Sequence, residues 1–240
     1  MIPATDSRRV APRMWHTDWL QLAPLARLLR EQAAAQVRPG GVIVDLGCGD
    51  MPYAGMMRGL GLDYRPADID ADAVAKGKLP IGADGRVPLS DGAADAVLSA
   101  QVLEHVPDLD SYCAEIRRLL RPGGTLLLST HGSWFYHPHP EDHRRWTRTG
   151  LALDLETRGF QVEALFPICG PLATTTMIRL TAFAFVLKRI AWIGPAIAAA
   201  LSVVMNARAV VEDAVTPRQM REDNACVYLV RARVVDRTAL

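Results

Sequence analysis

The sequence lacks an excess of charge of either sign: 27 lysines and arginines stand against 26 aspartates and glutamates. A net charge near +1 creates no basic field and gives a nucleic-acid partner no support. Cysteine is scarce, and Cys48, Cys113, Cys169 and Cys226 form no CxxC pair, so their spacing suggests neither a zinc site nor a disulfide framework. Reduced thiols in the cytoplasm are the expectation. The first turns, with Asp6, Arg8, Arg9 and Arg13, have no apolar stretch behind them and do not read as a signal peptide. Internal repeats and low-complexity linkers are also missing. What remains is ordinary globular composition, 50% apolar and 22% charged over 240 residues, enough for one generous domain or a domain with a large elaboration.

Hydrophobic periodicity supplies the elements. Leu22, Leu25, Leu28 and Leu29 recur at helical spacing in residues 20–37, and Pro39, Gly40 and Gly41 stop that helix. Apolar runs at 42–44, 96–100 and 125–128 have the length and content of buried parallel strands, with weaker candidates at 63–67 and 78–82. Between them, residues 111–120 form an amphipathic helix that ends at Arg121-Pro122-Gly123-Gly124. A further helix is expected over 147–159, and last strands over 162–166 and 226–234. Strands alternating with helices predict an α/β fold, a Rossmann-like, doubly wound, mostly parallel sheet.

In "VIVDLGCGDMPYAGMM" the first strand breaks at Gly47 and Gly49. A dinucleotide turn needs a third glycine, where this chain has Pro52, so an NAD-dependent oxidoreductase is a weaker reading. A ligand without a pyrophosphate needs only close backbone approach at the two glycines. Asp68, at the expected end of the second strand, suits the two hydroxyls of a ribose. Asp84 in "GADGRVPL" suits an adenine amino group, and the fourth strand runs into Gln101, Glu104 and His105. Those last two, Glu104 and His105, read as loop hydrogen-bonding residues.

With "DLGCG", "AQVLEHVPD" and "LLRPGGTLLLST" in combination, residues 40–166 and the last strand resemble the class I S-adenosylmethionine-dependent methyltransferases. The resemblance implies a seven-stranded sheet with its last strand reversed. It places Asp45, Gly47, Cys48 and Gly49 around the methionine part of the cofactor, Asp68 and Ile69 at the ribose, Asp84 and Gly85 at the adenine, and Gln101 on the sulfonium side. A narrower likeness lies in "HPHPEDHRRWTRTGLALDLETRGF", which is similar to the "H..P.DYYRFT..GL..LL...GF" pattern of methyltransferases associated with surface polysaccharide and glycolipid assembly. His137, Pro140, Asp142, Arg145 and Thr147 fall on its fixed points, while His143 and Trp146 depart from it. The implied activity is O-methylation of a sugar, a lipid-linked glycan or another small-molecule intermediate. A cofactor-binding, membrane-docked partner of a biosynthetic complex, without catalysis, is the alternative.

If the acceptor is a hydroxyl it must lose a proton, and imidazole is suited to take it near neutral pH. His137 and His143 are the candidate bases, and Asp142 and Arg145 are the candidate acceptor-binding pair, the guanidinium offering a fork to a phosphate or carboxylate. A metal is not expected: His131, His137, His139 and His143 run through Pro138 and Pro140, so they make no HxxxH helix face.

Residues 168–211 contain no acidic side chain; Arg179, Lys188, Arg189 and Arg208 are the only charges. Gly194-Pro195 interrupts the uncharged run 190–207 and leaves 196–207, too short for a hydrocarbon core of ~30 Å at ~1.5 Å per residue. Two short apolar helices are expected there, with Phe183, Phe185 and Trp192 available to a membrane interface and the cations to anionic headgroups. A lid or a homodimer interface would use the same surface. The plan is therefore an N-terminal helical segment at 1–40, a cofactor-binding core at 41–167, the apolar helical insertion at 168–225, and a last strand and tail at 226–240. The expected location is the cytoplasm, with peripheral contact at the inner face of the membrane.

Overall fold

The computed structural model describes residues 8–138 and 141–235. Residues 1–7, 139–140 and 236–240, and with them the readings made at Asp6, His139 and Pro140, lie outside the described residues. The chain runs α1 (Trp19–Gln36), β1 (Val42–Leu46), α2 (Ala54–Gly59), β2 (Asp63–Asp68), β3 (Leu79–Pro80) and β4 (Ala94–Ala100). After a 3-10 turn at Leu103–His105 come α3 (Leu109–Leu119), β5 (Leu120–His131), α4 (Arg148–Glu156) and β6 (Phe160–Ile168). The remainder is α5 (Pro171–Leu187), α6 (Gly194–Val215), α7 (Arg218–Asp223) and β7 (Val227–Val234).

One seven-stranded sheet has the order β3-β2-β1-β4-β5-β7-β6. The pairings through β5 are parallel, and β7 runs antiparallel to both β5 and β6. Neighbouring residues on the central strands point to opposite sides. Ile43, Leu98, Leu127 and Leu229 pack with α1, α2, α5 and α6, while Val44, Val97, Leu126 and Val230 pack with α3 and α4. Burial on both faces explains why these strands read as continuous apolar runs instead of alternating ones. The chain leaves β1 outward to β2 and β3, then returns across it to β4. The cleft at the carboxyl ends of β1 and β4 is the switch point where such sheets bind ligands.

Two sequence expectations change. The strand expected at 125–128 is the 12-residue β5, which pairs with β4 on both sides of the Arg121–Gly124 turn through a register shift. Pro24 sits inside α1 without ending it. Its missing N–H would have bonded the Leu20 carbonyl, which instead accepts from the Cys169 thiol at 3.2 Å. The second helix of the insertion is also longer than expected. Pro195 does interrupt the apolar run, but as the first-turn proline of α6, which continues past Arg208 for 22 residues. Arg208 lies within the helix and pairs with Glu212 one turn on, at 2.7 Å. Among the described residues α6 is the one helix long and apolar enough to cross a membrane by length and composition.

Asn206, fully buried on α6, donates from Nδ2 to the carbonyls of Met14 at 2.7 Å and His16 at 2.8 Å. This ties the insertion to the segment before α1. Asn206→Ala should lower stability by about 1–2 kcal/mol, since both hydrogen bonds go but water reaches the partly exposed carbonyls. Urea unfolding with an unchanged m-value checks it.

Candidate active site

The carboxyl end of β1 turns through Gly47 and Gly49, at φ +78° and +51°. The two glycines have different reasons. A Cβ on Gly47 would stand 2.8 Å from both methyls of Val102, so this position is set by packing against the loop after β4. Gly49 has nothing within 4 Å of such a Cβ and borders open cleft, where its conformation, not contact, excludes side chains. The N–H of Gly49 donates to Asp68 Oδ2 at 2.6 Å, and the N–H groups of Gly47 and Cys48 donate to the Ala67 carbonyl, binding the loop to the end of β2. Asp68 Oδ1 accepts from Asp70 N at 3.3 Å.

Asp45 is buried beneath this loop and accepts from the Tyr64 hydroxyl at 2.5 Å. Burial pushes its carboxyl up to about 7; the Tyr64 hydrogen bond works against that shift, and the nearby Asp68 charge adds to it. Asp84 and Gly85 form an exposed turn after β3, in which Asp84 Oδ1 accepts from Arg86 N at 3.1 Å. Gln101, at the end of β4, holds a left-handed φ of +59° although it is not glycine. Its N–H bonds the Ser129 carbonyl at 2.9 Å, which holds the conformation in place. Together these residues line a single cleft of about 1240 Å³ that includes Asp45, Gly47, Cys48, Gly49, Asp68, Ile69, Asp84, Gly85 and Gln101. That exceeds the roughly 300–1,000 Å³ of a typical small-molecule pocket and leaves room for two ligands side by side.

Residues 44–128 match the methyltransferase domain family. A probable S-adenosylmethionine-dependent methyltransferase of Mycolicibacterium smegmatis is 32% identical over 134 residues, 50% of this chain and 52% of the relative. A ubiquinone biosynthesis O-methyltransferase of Xanthomonas campestris is 33% identical over 136 residues, 50% of this chain and 57% of the relative. The matched segment runs from β1 into β5, and the fold is the Rossmann-like fold of S-adenosylmethionine-dependent methyltransferases. The chain spans about half the length of the curated relatives it matches. The fold likeness extends further. The Burkholderia thailandensis 1,6-didemethyltoxoflavin-N1-methyltransferase, solved with 1,6-didemethyltoxoflavin and S-adenosylhomocysteine, aligns at TM-score 0.51 and 18% identity over 86% of this chain and 78% of that one.

The cofactor of such a domain is S-adenosylmethionine, and the cleft fits it. A Cβ-free edge borders the space at Gly49, a carboxylate waits at the end of β2, and Asp45 is a buried carboxyl whose charge a cationic amino group would restore.

At the other end of the methyltransferase cleft stands an arrangement that sequence spacing did not show. Glu104, fully buried in the 3-10 turn, places Oε1 2.7 Å from Nδ1 of His131 and accepts from Thr130 Oγ1 at 2.8 Å on Oε2. Burial opposes its charge, but the bonds from His131 and Thr130 outweigh this and hold the carboxyl below the usual glutamate range. A carboxylate only accepts, so the network assigns the proton to Nδ1 of His131 and leaves a lone pair at Nε2. Nε2 lies 3.4 Å from the Gln21 amide, which in turn reaches Gln101 Oε1 at 3.4 Å. Gln21, Gln101, His131, Trp134 and His137 all line the cleft. Glu104 was expected only as a loop residue, and His131 entered only the metal argument. Their signal lay in topology: Ala100 pairs with Ser129 across parallel strands, so the residues just beyond each strand end meet.

His137 does reach the cleft, with its ring 4.8 Å from that of His131, centroid to centroid. Burial, and then the neighbouring His131, lower its pKa. His143, the other candidate base, faces Glu141 through Nε2 at 3.2 Å and does not line the cleft. Asp142 and Arg145, the candidate acceptor-binding pair, bind each other. The Asp142 side chain is buried and takes two guanidinium nitrogens of Arg145 at 2.6 Å each, while Arg145 also donates to the Phe135 carbonyl at 2.5 Å. Asp142 Oδ2 accepts from His137 N at 2.9 Å. The guanidinium fork holds the 134–137 loop, and with it His137, in place.

Ligand atoms of Glu104, His131 and His137 fall within 4.8 Å of one another, although no helix-face spacing joins them. The 2.7 Å between Oε1 and Nδ1 is a hydrogen-bond length, shorter than the roughly 3.4 Å that two ligands ~2.1 Å from a tetrahedral ion keep.

Two outcomes follow for the cofactor end. Asp68→Asn should weaken S-adenosylhomocysteine binding by roughly 1.5 to 3 kcal/mol, the range for hydrogen bonds to a charged group, as measured by titration calorimetry. Asp45→Asn should behave in two ways at once. Because the folded-state pKa of Asp45 is raised, ligand-free stability is full below pH ~4 and falls as pH rises toward about 7. The variant should therefore melt higher than wild type at pH 8 without ligand, yet bind S-adenosylhomocysteine more weakly.

Proposed function

We propose that this protein is an S-adenosylmethionine-dependent O-methyltransferase acting on a hydroxyl of a sugar, a lipid-linked glycan or another small-molecule biosynthetic intermediate. The observation that carries the hydroxyl is the buried Glu104–His131 pair at the open end of the cofactor cleft. Bound in the cleft, the cofactor supplies an electrophilic methyl on a sulfonium and leaves as a neutral thioether. Alignment of acceptor and methyl provides most of the acceleration, and the chain's own task is to hold the acceptor and take its proton. His131 Nε2 receives that proton as the oxygen gains the methyl, and Glu104 stabilises the resulting imidazolium and fixes the ring. Gln21 and Gln101 offer amides to the acceptor's other polar groups.

The Xanthomonas relative, by its name an O-methyltransferase, supports oxygen as the accepting atom. The likeness of the 137–160 segment to the polysaccharide-associated pattern supports a sugar or glycolipid acceptor. We place the reaction in the cytoplasm, a reading supported by four cysteines that are free and buried.

His131→Ala should lower kcat by about 10²- to 10⁴-fold while S-adenosylhomocysteine affinity is kept. Glu104→Gln should follow it in direction. Methyl transfer from labelled cofactor into polar and lipid extracts of the source cell supplies the assay. Full turnover by His131→Ala overturns the proposal, and so does activity lost to a chelator and restored by a divalent ion.

A further inference from the structure

Helices α5 and α6 form a hairpin whose far end is apolar, basic and uncovered. Phe185, Ile190, Trp192 and Ile193 are all exposed there, and Trp192 is 97% exposed, at a left-handed φ of +65°. Tryptophan is seldom left so open in a folded chain. The turn presenting it is tight: a Cβ on Gly194 would stand 2.1 Å from the Leu187 carbonyl, so α6 starts hard against the end of α5. Lys188 and Arg189 flank the turn, with Arg189 stacked over the Phe185 ring at 4.7 Å. Trp15 and Arg8 add to the same end, sharing with Lys188, Pro195 and Ala198 a shallow cavity of about 180 Å³.

We infer that this hairpin end docks on an anionic lipid surface. The chemistry fits that occupant: exposed aromatic and aliphatic groups beside cations, and no acidic residue anywhere in 168–211. A second copy fits poorly, because a two-fold contact centred on the hairpin tip would bring Lys188 and Arg189 near their own equivalents, and residues 168–211 hold no carboxylate to neutralise them. Spanning fits poorly as well. One stripe of α6, Ala198, Ser202, Asn206 and Ala209, is buried against the protein, while the opposite stripe, Ile197, Val204, Val211 and Val215, is exposed. Asn206 and Glu212 hydrogen-bond the inner side to the segment before α1 and to Thr176 of α5. A helix with one flank on its domain and an apolar flank outward suits the plane of an interface. This inference stands on the hairpin alone and does not depend on the chemistry in the cleft.

Flotation of the full chain tests it, with phosphatidylcholine vesicles and with vesicles containing one quarter phosphatidylglycerol. The protein should float with the anionic vesicles at low salt, much less at high salt, and blue-shift its tryptophan emission. Lys188→Gln with Arg189→Gln should reduce partitioning roughly twentyfold, and Trp192→Asp should remove the blue shift. Unchanged S-adenosylhomocysteine affinity and melting temperature show that the variants are folded. Absence of flotation with anionic vesicles at low salt overturns the inference. Equal flotation of both variants and wild type also overturns it, as does a concentration-dependent dimer that Trp192→Asp dissociates.

Discussion

The parallel pairing of β1 with β2 and β4, and of β4 with β5, is the constraint on which the site depends. Parallel strands bring all their carboxyl ends to one edge, and each end here delivers one kind of group. β1 gives the glycine turn, β2 the Asp68 carboxylate, β4 the left-handed Gln101, and β5 His131. A one-residue slip would turn the buried side chains to the opposite face. It would also part Glu104 from His131, because that bond spans the gap between two strand ends.

Several residues at this edge are kept in states that do not favour the fold by themselves. Asp45 is a carboxyl without water, Gln101 holds a backbone angle suited to glycine, and Glu104 is a fully buried acid. Each is held by neighbours that have little freedom: Tyr64 on β2, Ser129 on β5, and the Thr130–His131 pair. Strain that is fully supported by rigid strands is typical of a site organised before its ligand arrives. The hairpin end shows the same trade at the surface, where Trp192 is left in water by a turn too tight to be accidental looseness.

The 137–147 segment illustrates how a motif is read well as a pattern and poorly as chemistry. Asp142 and Arg145 are taken up by each other, by the His137 N–H and by loop carbonyls. Trp146 is buried in the core and Thr147 caps α4 through Gly150 N at 3.1 Å. Among the described residues of this segment, His137 is the one that lines the cleft.

The sequence by itself determined the α/β class, the alternation of strands and helices along the chain, the glycine turn, and the acidic residues at the end of β2 and after β3. All of these depend on local periodicity or on groups at the ends of their own strands. It also showed an apolar, acid-free insertion, because composition is visible without coordinates. Only the tertiary structure decided which side chains meet across elements: Glu104 with His131, Gln21 of α1 with Gln101, Asp142 with Arg145. These are set by strand register and by the return of loops over the sheet, and no spacing along the chain records a distance closed by folding. The length of α6 was hidden for a related reason, since a proline that breaks a helix and one that begins it are the same letter until the preceding turn is placed.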